Sequence, residues 1–87
     1  MRIYRVTIVM DFYWNGDRCD PETDIVKVAA STVEKACVKA KSLVARKHHR
    51  LLPYKEQTIE DGERVTETYQ YKNLTPVSCE LIAESEV

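Results

Sequence analysis

The chain begins with a run in which apolar and polar positions alternate. From Tyr4 to Trp14 every second residue is apolar. Successive side chains of a strand point to opposite faces, so this period of two places those residues on one apolar face. Ile3 and Val9 make the second face more apolar than an edge strand would be. The pattern therefore predicts a long first strand at the centre of a sheet.

Turn signals divide the remaining strands. Asn15-Gly16 predicts a hairpin, because both residue types tolerate a positive φ. Pro21 and nearby acids delay the return strand to about residues 24–30. Asp61-Gly62 predicts a second hairpin between strands at 56–60 and 63–71. A turn at 73–76 then precedes a last strand that begins at residue 77.

A helix is predicted between the two hairpins. Ser31 and Glu34 fit a capping box, which predicts Ser31 as the N-cap and a helix that ends near His48. With 3.6 residues per turn, six apolar side chains of this helix fall on one arc. Three of the six are small, so the helix can lie close to a sheet. This arc contains Val33, Ala36, Cys37, Ala40, Leu43 and Val44. The order β-β-α-β-β-β predicts a single α+β domain over residues 1–87, an antiparallel sheet of four to five strands with one helix on one face.

Charge is unevenly distributed along the chain. Residues 31–55 contain seven basic side chains and one acidic one, whereas the rest of the chain contains six basic and thirteen acidic side chains. The net charge of −1 is therefore the sum of about +6 in this segment and about −7 in the rest of the chain. Segregated charge produces a local field that can bind or steer an anion. We therefore predict a partner-binding basic face on the helix, formed by Lys35, Lys39, Arg46, His49 and Arg50.

A solvated helix face is the alternative for these cations. It accounts for the last turn, where positive charge is favoured by the helix dipole. It does not account for Lys35 and Lys39, which lie near the positive end of the helix and have no acid four residues later. Both interpretations stay open.

No catalytic, cofactor or metal site is predicted. Asp11, Asn15, Gly16 and Glu22 match positions 1, 5, 6 and 12 of a calcium loop, but Tyr13 cannot serve at position 3. The segment 11–24 is therefore interpreted as an acidic hairpin, with weak divalent binding left open. His48 and His49 point about 100° apart on a helix and cannot chelate one ion together. Cys19 lies among acids that disfavour the thiolate.

Other features point to a non-enzymatic protein of the cytoplasm. Both glycines occupy predicted turns, which excludes a glycine-rich phosphate loop. The three cysteines form no C-x-x-C pair, and Cys37 and Cys79 fall on apolar arcs typical of core residues. The N-terminus lacks the continuous apolar run of a signal peptide, and no run approaches the ~20 residues of a membrane span.

The sequence therefore predicts a small binding module that occupies the surface of a protein or nucleoprotein complex. Inhibitors encoded by phages or mobile elements, such as anti-CRISPR proteins, work in this way, and here the acidic part could mimic phosphates. One alternative is nucleic-acid binding through the basic helix face, although the pI of about 6.1 disfavours it. The other is a structural homodimer formed through Ile3 and Val9.

Overall fold

Strand β1, Arg2–Trp14, lies at the centre of a five-stranded antiparallel sheet, as its two partly apolar faces predict. The computed structural model describes residues 1–84, and within them one helix packs on one face of the sheet. This confirms the predicted α+β fold. The other elements are β2 Asp17–Arg18, β3 Glu22–Ala30, α1 Val33–Lys47, a 3-10 turn His49–Leu51, β4 Tyr54–Glu60 and β5 Glu63–Glu84.

Two strands share one edge of β1. β3 pairs with its first part, from Arg2 opposite Ala30 to Met10 opposite Glu22, and β2 pairs with its last two residues. Between β2 and β3 lies Pro21, which has no N–H to donate to a ladder. The predicted delay of the return strand is therefore correct.

Asn15 and Gly16 form the predicted hairpin turn, with φ of 50° and 83°. The Asn15 main-chain N–H donates to the Thr68 carbonyl at 2.7 Å, and the Thr68 N–H donates to the Asn15 side-chain oxygen at 2.8 Å. These two bonds fasten the turn to β5. Asn15 thus has a long-range role in addition to its local turn geometry.

The turn predicted at residues 73–76 is wrong, because β5 runs through it without a break. The register against β1 shifts between Val9 and Asp11, and Asn73 has a φ of 56°. An extra residue in one strand of a pair forms a bulge, which bends the strand without ending it. Three strands therefore precede the helix and two follow it, instead of the predicted two and three.

The N-cap of α1 is Thr32, one residue after the predicted Ser31. The Lys35 N–H donates to the Thr32 hydroxyl at 3.2 Å, and Thr32 has extended backbone angles. Glu34 is then the second helical residue, one position before the place that a capping box requires. The helix ends at Lys47 with His48 as its C-cap, in agreement with the prediction.

Small side chains hold α1 close to β1. Ala36, Ala40 and Val44 are fully buried against the apolar face of the sheet. On β1 that face consists of Tyr4, Val6, Ile8 and Met10, each 2% exposed or less. Cys37 and Cys79 pack at the margin of this core, as predicted.

The hairpin of β4 and β5 projects beyond the rest of the sheet. β1 pairing begins at Tyr69, so the preceding part of β5 pairs with β4 alone. We call residues 55–67 the arm. The arm accounts for extents of 57 × 23 × 17 Å and a radius of gyration of 16.4 Å, against about 12 Å for a compact chain of this length.

A left-handed turn connects α1 to β4. His49, Arg50 and Leu51 have φ of 58°, 58° and 64°, although none is glycine. The left-handed conformation costs roughly 1–2 kcal/mol per L-residue. The Leu51 side chain, packed against the core, compensates for part of this strain.

The close approach of α1 to the sheet predicts intolerance of a larger side chain. Ala40→Leu should lower the free energy of unfolding by ~1–3 kcal/mol, because overpacking forces strain on neighbouring side chains. Val38→Leu on the same helix is the control: Val38 is 69% exposed, so its change should stay within ~0.5 kcal/mol. Urea unfolding of both variants measures the difference.

A glycine substitution should have opposite effects on stability in the left-handed turn and in the middle of α1. Arg50→Gly should raise the free energy of unfolding by up to ~1 kcal/mol, because glycine adopts a positive φ without strain. Lys41→Gly, in the middle of α1, should lower it by ~1 kcal/mol. Chemical denaturation checks both signs, and a loss of stability in Arg50→Gly would contradict the strain.

Candidate functional site

Burial of one side of α1 determines where its cations lie. Since Ala36, Ala40 and Val44 face the sheet, Lys35, Lys39 and Arg46 share the flank nearer β3. The Lys39 ammonium donates to the Ala29 carbonyl of β3 at 2.6 Å. Three residues of the predicted basic face are therefore brought together.

Lys39 and Arg46 line an open groove between α1 and β3, which we call the basic groove, and Lys35 lies one helical turn before Lys39 on the same flank of α1. The volume of the groove is about 430 Å³. Val28, Ala29 and Leu43 are the apolar residues of its lining, and Lys27 of β3 adds a cation that the sequence analysis did not include. The lining consists of Lys27, Val28, Ala29, Lys39, Ser42, Leu43 and Arg46.

The three cations on this flank of α1 are not neutralised by neighbouring acids. Within residues 1–84, no carboxylate lies within 4.0 Å of Lys35, Lys39 or Arg46. Ion pairs form elsewhere, as between Arg5 and Glu80 at 3.7 Å. On α1 itself, Lys47 pairs with Asp24. The groove therefore carries an electropositive surface.

The prediction that His49 and Arg50 belong to the basic face of the helix is wrong, because both residues lie beyond its end. The helix ends at Lys47, and the left-handed turn directs the chain away from the axis of α1. The His49 ring instead contacts the Tyr54 ring at the base of the arm, with centroids 4.0 Å apart. The sequence could not reveal this contact, because the left-handed turn that produces it contains no glycine.

A polar cluster between β3 and the end of α1 was missed by the sequence analysis. The Asp24 carboxylate lies 3.0 Å from the Lys47 ammonium and 3.5 Å from His48 Nε2. The His48 ring packs on the Tyr71 ring, with centroids 4.0 Å apart, and the Tyr71 hydroxyl donates to Glu22 at 2.9 Å. These contacts fix the end of the helix to the sheet.

The pKa values in this cluster are shifted by burial and by its bonds. Burial alone would raise the pKa of Asp24, but the hydrogen bond and charge of Lys47, with a smaller contribution from the nearby His48, outweigh it, so the pKa lies below its usual value. Burial and the bond to Glu22 raise the pKa of Tyr71. Asp24 is therefore held as a carboxylate and Tyr71 as a neutral donor.

The acidic hairpin uses its oxygens in separate contacts. Asp11 accepts hydrogen bonds from Asn73 and Arg18, and Glu22 and Asp24 bind partners beneath α1. Among residues 1–84, no group of three or more histidine, cysteine, aspartate or glutamate side chains is arranged to hold a metal ion. Weak divalent binding by residues 11–24 stays a prediction.

A comparison with known proteins matches no family model, no curated protein and no solved structure. No helix in the described part of the chain is long and apolar enough to cross a membrane.

The Asp24 cluster predicts a loss of stability at acid pH. A carboxyl group whose pKa is lower in the folded state stabilises the fold above its usual pKa of 3.8. That contribution disappears as the pH falls through the folded value. Asp24→Asn should therefore be less stable than the wild type near pH 7, and the difference should shrink below about pH 4.

Urea unfolding across this pH range provides the measurement. Asp20→Asn is the control, because Asp20 is exposed in the same acidic segment and its substitution should alter stability by less than ~0.5 kcal/mol. A difference between Asp24→Asn and wild type that does not vary with pH would contradict the role of the ionised carboxylate.

Proposed function

We propose that this protein is a non-catalytic binding module that holds an acidic surface of a protein partner in the basic groove. The observation that carries the proposal is the lack of any described carboxylate within 4.0 Å of Lys35, Lys39 or Arg46. The chain has fourteen acids, yet none of those in residues 1–84 forms an ion pair with these three cations. A partner carboxylate can therefore bind there without displacing one from this chain.

The lining of the groove supports binding rather than catalysis. It combines cations with apolar residues, a combination found in protein interfaces. Ser42 is the one hydroxyl in the lining, and no histidine, carboxylate or thiol accompanies it there. A serine nucleophile needs a base within hydrogen-bonding reach, so the groove is suited to recognition.

The distribution of acids favours a protein partner over nucleic acid. α1 has fifteen residues and spans about 22 Å. Beyond the helix, the arm carries five acidic and two basic side chains. A nucleic-acid backbone that extended past the helix would be repelled there, whereas an acidic patch of a protein can match the groove alone.

Two more specific functions, inhibition of a host complex and formation of a structural homodimer, stay predictions. Inhibition of a host complex, as by an anti-CRISPR protein, would use the same groove to occupy a partner surface. A structural homodimer would use the opposite face of the sheet, which α1 leaves uncovered and where Ile3 and Val9 are half-buried.

Charge reversal tests the groove. Lys35→Glu/Lys39→Glu/Arg46→Glu should weaken capture of the partner from a lysate of the source cells by about 100-fold, because like charges across an interface cost several kcal/mol. Lys41→Glu/Lys55→Glu/Arg64→Glu makes the same change in net charge at cations outside the groove, and should retain the partner. Quantitative pull-down with both triple variants is the measurement.

Two results would contradict the proposal. Equal retention by both triple variants would show that the groove has no part in binding. Micromolar binding of a random DNA duplex, weakening with a log–log salt slope of about −0.9 per phosphate and lost in the first triple variant, would replace the protein partner with nucleic acid.

A further inference from the structure

An aromatic surface lies beyond the end of α1, on the same side of the sheet. Phe12 and Trp14 alternate with Tyr13 on β1, and Trp14 lies directly opposite Tyr69 of β5. The Phe12 and Tyr69 rings are nearly parallel, at 20°, with centroids 6.1 Å apart. Trp14 is 43% exposed. Three aromatic side chains therefore meet where the helix no longer covers the sheet.

These side chains border a shallow, open hollow of about 320 Å³, which we call the aromatic hollow. It is lined by Phe12, Trp14, Cys19, Glu67 and Tyr69. The volume falls within the range of roughly 300–1,000 Å³ that is typical of small-ligand sites. The Tyr69 hydroxyl donates a hydrogen bond to the Glu67 side chain, so the one acidic side chain in the lining is fixed in place.

The charge around the hollow is negative. Glu56 of β4 lies directly opposite Glu67, and like charges in that position destabilise a strand pair. Within residues 1–84, no lysine, arginine or histidine nitrogen lies within 4.0 Å of either carboxylate. The hydrogen bond to Glu67, burial, and the charges of Glu67 and Glu56 raise the pKa of Tyr69 to about 12. A cation would relieve this repulsion.

We propose that the aromatic hollow binds a quaternary ammonium group. The faces of tryptophan, tyrosine and phenylalanine attract cations, and rings that surround a methylated ammonium are a recurrent arrangement for this purpose. Such a group has no N–H to satisfy, so it suits a lining with three rings and one carboxylate. An unmethylated ammonium, which is strongly hydrated, would leave most of its donors without acceptors there.

This site is independent of the basic groove. The hollow lies at the base of the arm and binds a cation, whereas the groove lies on the flank of α1 and binds an anion. Loss of either site should therefore leave the other intact.

Trp14 provides a direct assay, because it is the one tryptophan of the chain. Choline should change its fluorescence saturably, with a dissociation constant in the millimolar range. The neutral isostere, in which a tert-butyl group replaces trimethylammonium, should bind about tenfold more weakly, since it has the same shape without the charge.

Two matched variants locate the site. Glu67→Gln keeps an acceptor for the Tyr69 hydroxyl but removes the charge, and should weaken choline binding about fivefold. Glu63→Gln removes the same charge four residues away on β5, and should change the affinity less than about twofold. A peptide with a trimethylated lysine, titrated in parallel, should show whether the group is better bound on a protein tail or on a small molecule; tighter binding of either one supports the proposal.

The proposal is overturned by any of three results. These are the lack of a saturable change in Trp14 fluorescence with both choline and the peptide, equal affinity for the neutral isostere, and equal loss of affinity in the two glutamine variants. Because the readout reports on Trp14 alone, none of these outcomes bears on the basic groove.

Discussion

The contact between the small side chains of α1 and the apolar face of β1 determines the rest of the molecule. Ala36, Ala40 and Val44 allow the helix to lie directly on Val6 and Ile8, and all five side chains are fully buried. This contact sets the rotation of the helix about its axis. The rotation in turn determines which flank of the helix meets β3, and therefore where Lys39 and Arg46 of the basic groove lie.

The same arrangement keeps opposite charges apart. The cations of α1 lie beside β3, whereas the acids of the arm lie in β4, the turn that follows it and the first part of β5. The molecule is 57 Å long. Exposed charges separated by more than about 10 Å are largely screened at physiological salt. The two surfaces therefore do not neutralise each other, and a chain with a net charge of −1 can still offer one face to anions and another to cations.

Local patterns in the sequence predicted what depends on local physics. The period of two predicted β1, the helical period predicted the buried side of α1, and Asn15-Gly16 and Asp61-Gly62 predicted both hairpins. The continuity of β5 could not be predicted in this way, because Asn73 and Pro76 resemble a turn until pairing with β1 holds them in a strand. The left-handed turn at His49–Leu51 has no glycine to announce it. The candidate sites join residues distant in sequence, such as Trp14 and Tyr69, which only the strand register brings together.

The aromatic hollow follows from a mismatch in length. A helix of fifteen residues spans about 22 Å, whereas the thirteen residues of β1 extend over about 43 Å. α1 can therefore cover only about half of that strand. The period-two apolar pattern nevertheless continues to the end of β1, so Phe12 and Trp14 emerge beyond the helix on a face that was apolar from its start. Pairing with β5 places Tyr69 and Glu67 beside them, and a surface that would be core under a longer helix stays open.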